Sequence, residues 1–315
     1  MQRHFVSRAA QRRRETVERL IAARDGSAPI EQHAANVKQA LDASFHAEVD
    51  QLVGDLSGSR VPSERAAEVT DLARAHGGDV VRAFARYRLH REATRRSISG
   101  FFMGLIDLGA YLAVLVLVLA CVVLLYGVFV FPQIDSIFTG FGGSLPVLTS
   151  GLFRLPWVPW VLVLAFASLV FLSWRFALRL REGLYESQPL DIRWARLPFL
   201  SEVVERHAAL VRLQWLDALI AGSIDLPTAR GAVTERIGGL DAGSLAVLSL
   251  AGASRVGVLE DEMRAQIEFA EEDLIESLHR TRRVLATGLR ALVYAGIGLF
   301  VVAMYLPVFQ IGVLA

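Results

Sequence analysis

Lysine is almost absent from this chain: Lys38 is the single lysine among 33 basic residues, and the other 32 are arginines. A Walker-type phosphate loop needs a lysine beside its glycines, and Lys38 has no glycine-rich segment before it, so that motif is excluded. Cysteine is equally scarce, since Cys121 is the only one. An intrachain disulfide and a multi-cysteine metal site are therefore excluded as well.

Motifs of bond-making chemistry are also missing. The sequence has no His-Glu-x-x-His and no nucleophile elbow, and its seven histidines lack the spacing of ligands on one helix face. These absences predict a protein that is not an enzyme, with no catalytic residue, no cofactor and no metal site.

Charge is missing from three long runs. No charged residue lies between Asp107 and Asp135, between Arg154 and Arg175, or after Arg290, which leaves runs of 27, 20 and 25 residues. About 20 apolar residues span a bilayer as a helix. The sequence therefore predicts three transmembrane helices, which agrees with its high mean hydropathy of +0.41.

The basic residues are distributed unevenly between the segments that flank these runs. Residues 1–107 hold 17 of them, residues 175–290 hold 15, and residues 132–156 hold Arg154 alone. Loops rich in arginine stay in the cytoplasm. Both large polar segments are therefore predicted to be cytoplasmic, and residues 132–155 and the carboxyl terminus to lie on the opposite side of the membrane.

These boundaries predict an all-α membrane protein. Its predicted parts are a basic amino-terminal segment (1–45), a first cytoplasmic helical domain (46–104), a first transmembrane helix (105–131), a short extracytoplasmic loop (132–155), a second transmembrane helix (156–175), a second cytoplasmic helical domain (176–289), a third transmembrane helix (290–311) and an extracytoplasmic carboxyl terminus (312–315).

The two cytoplasmic domains resemble each other, which indicates an internal repeat. Residues 56–78 read LSGSRVPSERAAEVTDLARAHGG and residues 220–239 read IAGSIDLPTARGAVTERIGG. Both place Gly-Ser before a proline (Pro62 and Pro227) and an arginine three residues after it. Proline is favoured in the first turn of a helix. Each copy is therefore predicted to be a helical bundle with a break at Gly-Ser, as at Gly222, and a new helix opened by proline. Chance similarity between alanine-rich helices is the alternative.

The segment VGVLEDEMRAQIEFAEEDLIESLHRTRRVL, residues 256–285, has apolar residues at helical spacing and acidic residues on the other face. A solvated face is one interpretation, and a docking surface for a cytoplasmic partner is the other. The residues predicted to dock a partner are Glu268, Glu271, Glu272 and Asp273 on this face, and Arg82 and Arg86 on the basic stretch before the first run. The arginine-rich amino terminus is interpreted as a topology determinant or a tail, and no nucleic acid is expected as a partner.

The membrane-proximal residues carry a more specific pattern. The first run ends in FVFPQIDSIF, FGGSLPVLT leads into the second run, and the last run ends in VVAMYLPVFQIG. This pattern resembles the type II secretion F family, the inner-membrane platform proteins of type IV pilus and type II secretion systems. The matching positions are Pro132, Phe141, Gly142, Leu145, Pro146 and Thr149 in the loop, Gly222 and Pro227 at the helix break, and Tyr305 and Pro307 in the last span.

The resemblance implies a multi-pass protein of the bacterial inner membrane, with a periplasmic carboxyl terminus. It implies a scaffold that couples a cytoplasmic assembly ATPase to the insertion of pilin or pseudopilin subunits. Other inner-membrane assembly proteins, membrane lipids and further copies of the chain are its expected partners. A pilus platform is the first expectation, a type II secretion platform the alternative, and a small transporter or membrane-enzyme subunit the more distant one.

Overall fold

The computed structural model describes residues 8–23, 29–57, 67–140, 145, 149–151, 158–185, 200–239 and 245–314. Within these ranges the regular structure is entirely helical and contains no strand, which confirms the predicted all-α class. The helices are α1 (Arg8–Ala22), α2 (Ile30–Ala40), α3 (His46–Ser57), α4 (Ala67–Ala75), α5 (Val80–Leu125), α6 (Phe131–Gly140), α7 (Val158–Tyr185), α8 (Ser201–Ala221), α9 (Leu226–Ile237), α10 (Leu245–Val256) and α11 (Leu259–Leu314).

The chain divides into two compact units. The first, called here the polar unit, comprises Met1–Ser97 and Gly183–Leu274, and the second, the apolar unit, comprises Ile98–Glu182 and Ile275–Ala315. The two polar segments of the sequence thus contribute to one unit. The predicted repeat stays a prediction, because residues 58–66, which hold the first Gly-Ser break and Pro62, lie outside the described residues.

Helix α8 forms the centre of the polar unit. Twelve of its 21 residues are buried, among them Trp215, Leu216 and Leu219. A helix that is buried on most of its sides must be surrounded by other elements. A second cluster joins α1, α2, α3 and the start of α5 through residues such as Ile21, Val49 and Phe84.

The predicted break after α8 is confirmed. Helix α8 ends at Ala221, and α9 begins at Leu226 with Pro227 in its first turn. Asp225 caps α9, since its carboxylate accepts a hydrogen bond from the Thr228 backbone N–H at 3.2 Å. At Gly222 a β-carbon would lie 3.1 Å from the Asp79 carbonyl oxygen and 3.2 Å from the Ala83 β-carbon, so a side chain there would be crowded.

The apolar unit holds the apolar parts of three long helical segments. Val80–Gly140, Trp160–Tyr185 and Leu259–Phe309 are each long and apolar enough to cross a membrane. One side of these helices forms a shared core that includes Leu112, Phe166 and Phe300. The other side exposes large apolar residues such as Leu117, Leu164 and Val302, as expected for helices that face lipid.

Two of these segments extend beyond the predicted spans. The first continues as helix through residues 131–140, which were predicted to form the end of the span and the start of the loop. The third begins as a helix at Leu259. A π-turn at Tyr126–Val130 ends two residues before Pro132, and the Phe131 N–H donates to the Tyr126 carbonyl five residues earlier. Proline clashes with a regular α-turn before it, and the wider π-turn lets the helix continue through Pro132.

Candidate docking surface and buried polar network

The amino-terminal part of α11 carries the predicted acidic face. Its apolar side is buried through Met263, Ile267 and Leu274, which confirms the helical pattern read from the sequence. Glu268, Glu272 and Asp273 lie on the exposed side. Neither Glu268 nor Glu272 makes an ion pair within the described part of the chain, so two carboxylates remain open to a partner.

Asp273 is held in place by α8. The Arg206 Nη1 donates to the Asp273 backbone carbonyl at 2.9 Å and lies 3.5 Å from its carboxylate, which is 66% exposed. An exposed pair of this kind contributes about 0–1 kcal/mol to stability. Asp273 can therefore exchange Arg206 for a partner's cation at little cost.

Glu271 differs from the other three acidic residues because it turns inward. The Thr94 hydroxyl donates to Glu271 Oε1 at 2.9 Å, and the Gln214 side-chain amide donates to Thr94 Oγ1 at 2.7 Å. Thr94 and Gln214 are buried. This chain of hydrogen bonds joins α11, α5 and α8, and it ties the acidic face of α11 to the centre of the polar unit.

Asp217 is the centre of a second set of buried polar contacts. Its Oδ2 accepts hydrogen bonds from Arg86 Nε at 2.6 Å and from His90 Nε2 at 2.5 Å. Burial would raise the pKa of the Asp217 carboxyl, but the hydrogen bonds from His90 and Arg86 more than offset this and hold the pKa below its ordinary value. Asp217 is therefore ionised at neutral pH and fixes α5 to α8.

The two arginines predicted to dock a partner have different environments. Arg82 is 56% exposed, and its only ion pair in the described ranges is with Asp79 at 3.5 Å. Arg86 is bound internally by Asp217 and also lies 3.5 Å from Glu260 of α11. The hydrogen bond to Asp217 is the main cause that raises the pKa of Arg86 above its ordinary value. Arg82 thus lies open to a partner, whereas Arg86 is engaged within the unit.

His207 of α8 is buried without charge. Burial lowers the pKa of its imidazole to about 4, and a hydrogen bond with the backbone of Leu184 opposes this only in part. Its Nδ1 has no hydrogen-bond partner among the described residues. The ring therefore stays neutral near pH 7 and acts as part of the core.

Two of the residues that carry the family resemblance, Thr149 and Pro307, come together in the apolar unit. Proline has no N–H, so Pro307 leaves the carbonyl of Ala303, four residues earlier, without its helical partner. The buried Thr149 hydroxyl donates to that carbonyl oxygen at 2.6 Å. The Tyr126 hydroxyl donates to the next carbonyl, that of Met304, at 3.0 Å. Thr149 thus supplies the hydrogen bond that Pro307 removes from the helix, although the two residues are far apart in the sequence.

The remaining motif residues do not form a common site. Leu145 packs against the core of the apolar unit, Tyr305 is 51% exposed, and Pro132 is exposed in the first turn of α6. Phe141, Gly142 and Pro146 lie outside the described residues. Within the described ranges no group of three His, Cys, Asp or Glu side chains is placed to bind a metal ion.

No family model, curated protein or solved structure matches this chain.

Sequence reasoning missed the buried network around Asp217 and Gln214. A signal for it exists in the segment LQWLDALI, residues 213–220, where a glutamine and an aspartate three residues apart interrupt an otherwise apolar run. Residues at this spacing share a helix face. Polar residues on one face of a buried helix indicate hydrogen-bond partners on a neighbouring helix.

Proposed function

We propose that this protein is an inner-membrane platform of a type IV pilus assembly machine, which transmits the motion of a cytoplasmic ATPase to pilin subunits in the membrane. The observation that carries the proposal is the continuity of two helical segments. Val80–Gly140 and Leu259–Phe309 each combine a polar stretch with an apolar stretch long enough to cross a membrane. A continuous helix with both parts can carry a displacement from a docking surface into the bilayer.

The polar network supports this role, because it holds the polar stretches of the two segments to α8. Arg86 and His90 of α5 bind Asp217, and Thr94 of α5 binds both Gln214 and Glu271 of α11. A buried and fully satisfied network makes a bundle rigid. A force on the acidic face of α11 would therefore act on α5 as well.

The docking surface of the proposal consists of Glu268, Glu272 and Asp273, with Arg82 as a basic counterpart. Glu268 and Glu272 make no ion pair within the described ranges, and Asp273 makes only an exposed one with Arg206. Such carboxylates suit the arginine and lysine side chains of a soluble partner. The positive-inside rule supports an orientation in which this surface is cytoplasmic and the carboxyl terminus periplasmic. Large exposed apolar residues on the spans favour association with pilin, with other assembly proteins or with further copies of the chain.

A type II secretion platform is the second candidate, since the same coupling would serve pseudopilins. A small transporter is less well supported, because none of the three uncharged runs contains an ionisable carboxylate, arginine or lysine near its middle. Transport of ions or polar substrates commonly uses such groups.

Deletion of the gene in the source bacterium tests the proposal. We expect loss of surface pili with normal pilin synthesis, measured by electron microscopy and immunoblotting. Normal piliation together with a loss of protein export would favour the secretion platform, and normal piliation and export would exclude both.

Charge reversal tests the docking surface. We expect Glu268→Arg, Glu272→Arg and Asp273→Arg together to abolish co-purification of the assembly ATPase. The matched control reverses Glu31, Asp42 and Glu235, three exposed acidic residues elsewhere in the polar unit. Equal ATPase recovery from both triple variants would remove the α11 face as the docking site.

A further inference from the structure

A cavity in the apolar unit is lined by an excess of positive charge. It has a volume of about 480 Å³ and lies between α5 and α11. Arg282, Arg283 and Arg290 of α11 line it, and Asp107 of α5 is the only acidic residue among its lining residues. Three guanidinium groups and one carboxylate leave two positive charges in excess.

These arginines have no counter-ion within the described part of the chain. None of the three makes an ion pair there, whereas the neighbouring Arg280 pairs with Glu276 at 3.2 Å. Closely spaced cations without counter-ions repel one another, and an anion between them removes the repulsion. The cavity therefore has the charge of an anion site that the protein does not fill with its own side chains.

Gly104 gives one of the arginines its position. A β-carbon at this point of α5 would collide with the Arg282 guanidinium, so the absence of a side chain lets Arg282 lie directly against the helix. Gly104 of α5 and Arg282 of α11 thus lie directly against each other in the lining of the cavity.

The position of the cavity along the helices matches the level of lipid headgroups. Asp107 is the last charged residue before the first uncharged run, and Arg290 is the last before the third. Leu108 and Ala286 contribute apolar surface to the same cavity. Basic pockets between spanning helices at this level bind anionic headgroups. Inorganic phosphate would gain nothing from contact with the apolar part of the lining, whereas the glycerol and acyl groups of a lipid would.

We propose that this cavity binds the phosphate-bearing headgroup of an anionic phospholipid. The planar guanidinium groups of Arg282, Arg283 and Arg290 donate paired hydrogen bonds to phosphate oxygens. The volume falls within the range of about 300–1,000 Å³ that is usual for small-molecule sites. The bound lipid bridges α5 and α11 at the point where both enter the bilayer, independently of what the polar unit binds.

The test measures lipid binding to the purified full chain in detergent micelles. The probes are short-chain phosphatidylglycerol, short-chain phosphatidylcholine and inorganic phosphate, and native mass spectrometry gives the dissociation constants. We expect phosphatidylglycerol to bind at least about tenfold more tightly than phosphatidylcholine. Replacing the three arginines with glutamine should weaken phosphatidylglycerol binding by roughly fivefold for each arginine and leave phosphatidylcholine unchanged.

Two further variants separate a shaped site from general attraction to positive charge. Arg230→Gln, Arg255→Gln and Arg264→Gln together remove the same charge from the polar unit, and we expect them to leave phosphatidylglycerol binding unchanged. Gly104→Ala keeps every charge but displaces the Arg282 guanidinium, and we expect a loss of about fivefold.

Three results would overturn the inference. They are equal affinity for the two lipids, an equal loss in the polar-unit control, and displacement of phosphatidylglycerol by an equimolar amount of inorganic phosphate, which would assign the cavity to a soluble anion. If the variant with all three cavity arginines replaced by glutamine does not fold, the Gly104→Ala variant tests the site instead. Unchanged phosphatidylglycerol binding by Gly104→Ala would also count against the site.

Discussion

Asp217 shows how a single buried carboxylate can organise a helical bundle. Its side chain is 5% exposed and accepts hydrogen bonds from two residues of α5 that lie one turn apart, Arg86 and His90. A buried charge costs several kcal/mol unless it is paired and hydrogen-bonded. Asp217 therefore helps to fix the register between α5 and α8, because a shift of one turn would leave the charge without its donors.

Replacement of Asp217 by asparagine is expected to destabilise the polar unit. The Asp217→Asn variant keeps the shape of the side chain but leaves Arg86 and His90 without their shared anion, at a cost of about 2–4 kcal/mol. The measurement is chemical unfolding of the purified protein in detergent. The control is Asp225→Asn at the exposed cap of α9, where asparagine caps as well as aspartate, so almost no change is expected. Equal shifts in the two variants would contradict the role given to Asp217.

His207 predicts a loss of stability at mildly acidic pH. The folded protein holds the pKa of His207 at about 4, whereas the ordinary value is 6.5. The unfolded chain therefore takes up a proton between these values that the folded chain does not. The contribution of the neutral His207 to the free energy of unfolding is fully present above pH 6.5. It decreases by about 1.4 kcal/mol for each pH unit as the pH falls from 6.5 to 4. The lowered pKa of Asp217 acts below this window, because its contribution is lost only under more acidic conditions.

Unfolding experiments between pH 7 and pH 4 measure this effect. The His207→Gln variant has no titrating group at this position, and its free energy of unfolding should change less over the same range, whatever its stability at pH 7. Parallel pH profiles for the two proteins would show that another group causes the acid sensitivity.

At the scale of the helix, the contact between Thr149 and Ala303 explains how α11 contains a proline near its end. Loss of the Thr149 hydroxyl leaves the Ala303 carbonyl unsatisfied among apolar side chains, so Thr149→Val should destabilise the apolar unit by about 1 kcal/mol. Pro307→Ala restores an N–H that can bond to the same carbonyl. We therefore expect Thr149→Val to cost less in the Pro307→Ala background than in the original protein.

A double-mutant cycle measures this coupling through unfolding in mixed micelles. Thr149→Ser keeps the hydroxyl and is the control, with a smaller loss expected than for Thr149→Val. Strictly additive effects of Thr149→Val and Pro307→Ala would show that the hydroxyl and the proline act independently.

The helices differ in how well the sequence predicts them. The apolar stripe of α11 and the break before Pro227 follow from local spacing, and both are confirmed. The extension of the first segment to Gly140 was missed, because a proline after an apolar run normally indicates a helix end, and the π-turn that accommodates Pro132 has no local sequence signature. The inward turn of Glu271 depends on Thr94, 177 residues away, and helical periodicity cannot reveal such a contact.

At the scale of the whole molecule, the basic residues divide the chain more sharply than its net charge of +1 suggests. The segments 1–107 and 175–290 hold 32 of the 33 lysine and arginine residues. Positive residues near the ends of spans resist translocation, whereas acidic residues contribute little to orientation. The low net charge therefore does not reflect the uneven distribution of arginine and lysine. That distribution predicts that both segments lie on one side of the membrane and residues 132–155 on the other.

Cysteine labelling tests this orientation in spheroplasts of the host. Cys121 is the only native cysteine, and Cys121→Ala provides a background without thiols. Gln51→Cys, Ser136→Cys and Ser254→Cys then place one thiol at an exposed position in the first polar segment, in the loop region and in the second polar segment, respectively. A membrane-impermeant maleimide should label only the Ser136→Cys variant in intact spheroplasts and all three after permeabilisation. Labelling of Gln51→Cys or Ser254→Cys before permeabilisation would place the acidic face of α11 or its scaffold outside the cytoplasm, where an ATPase could not reach it.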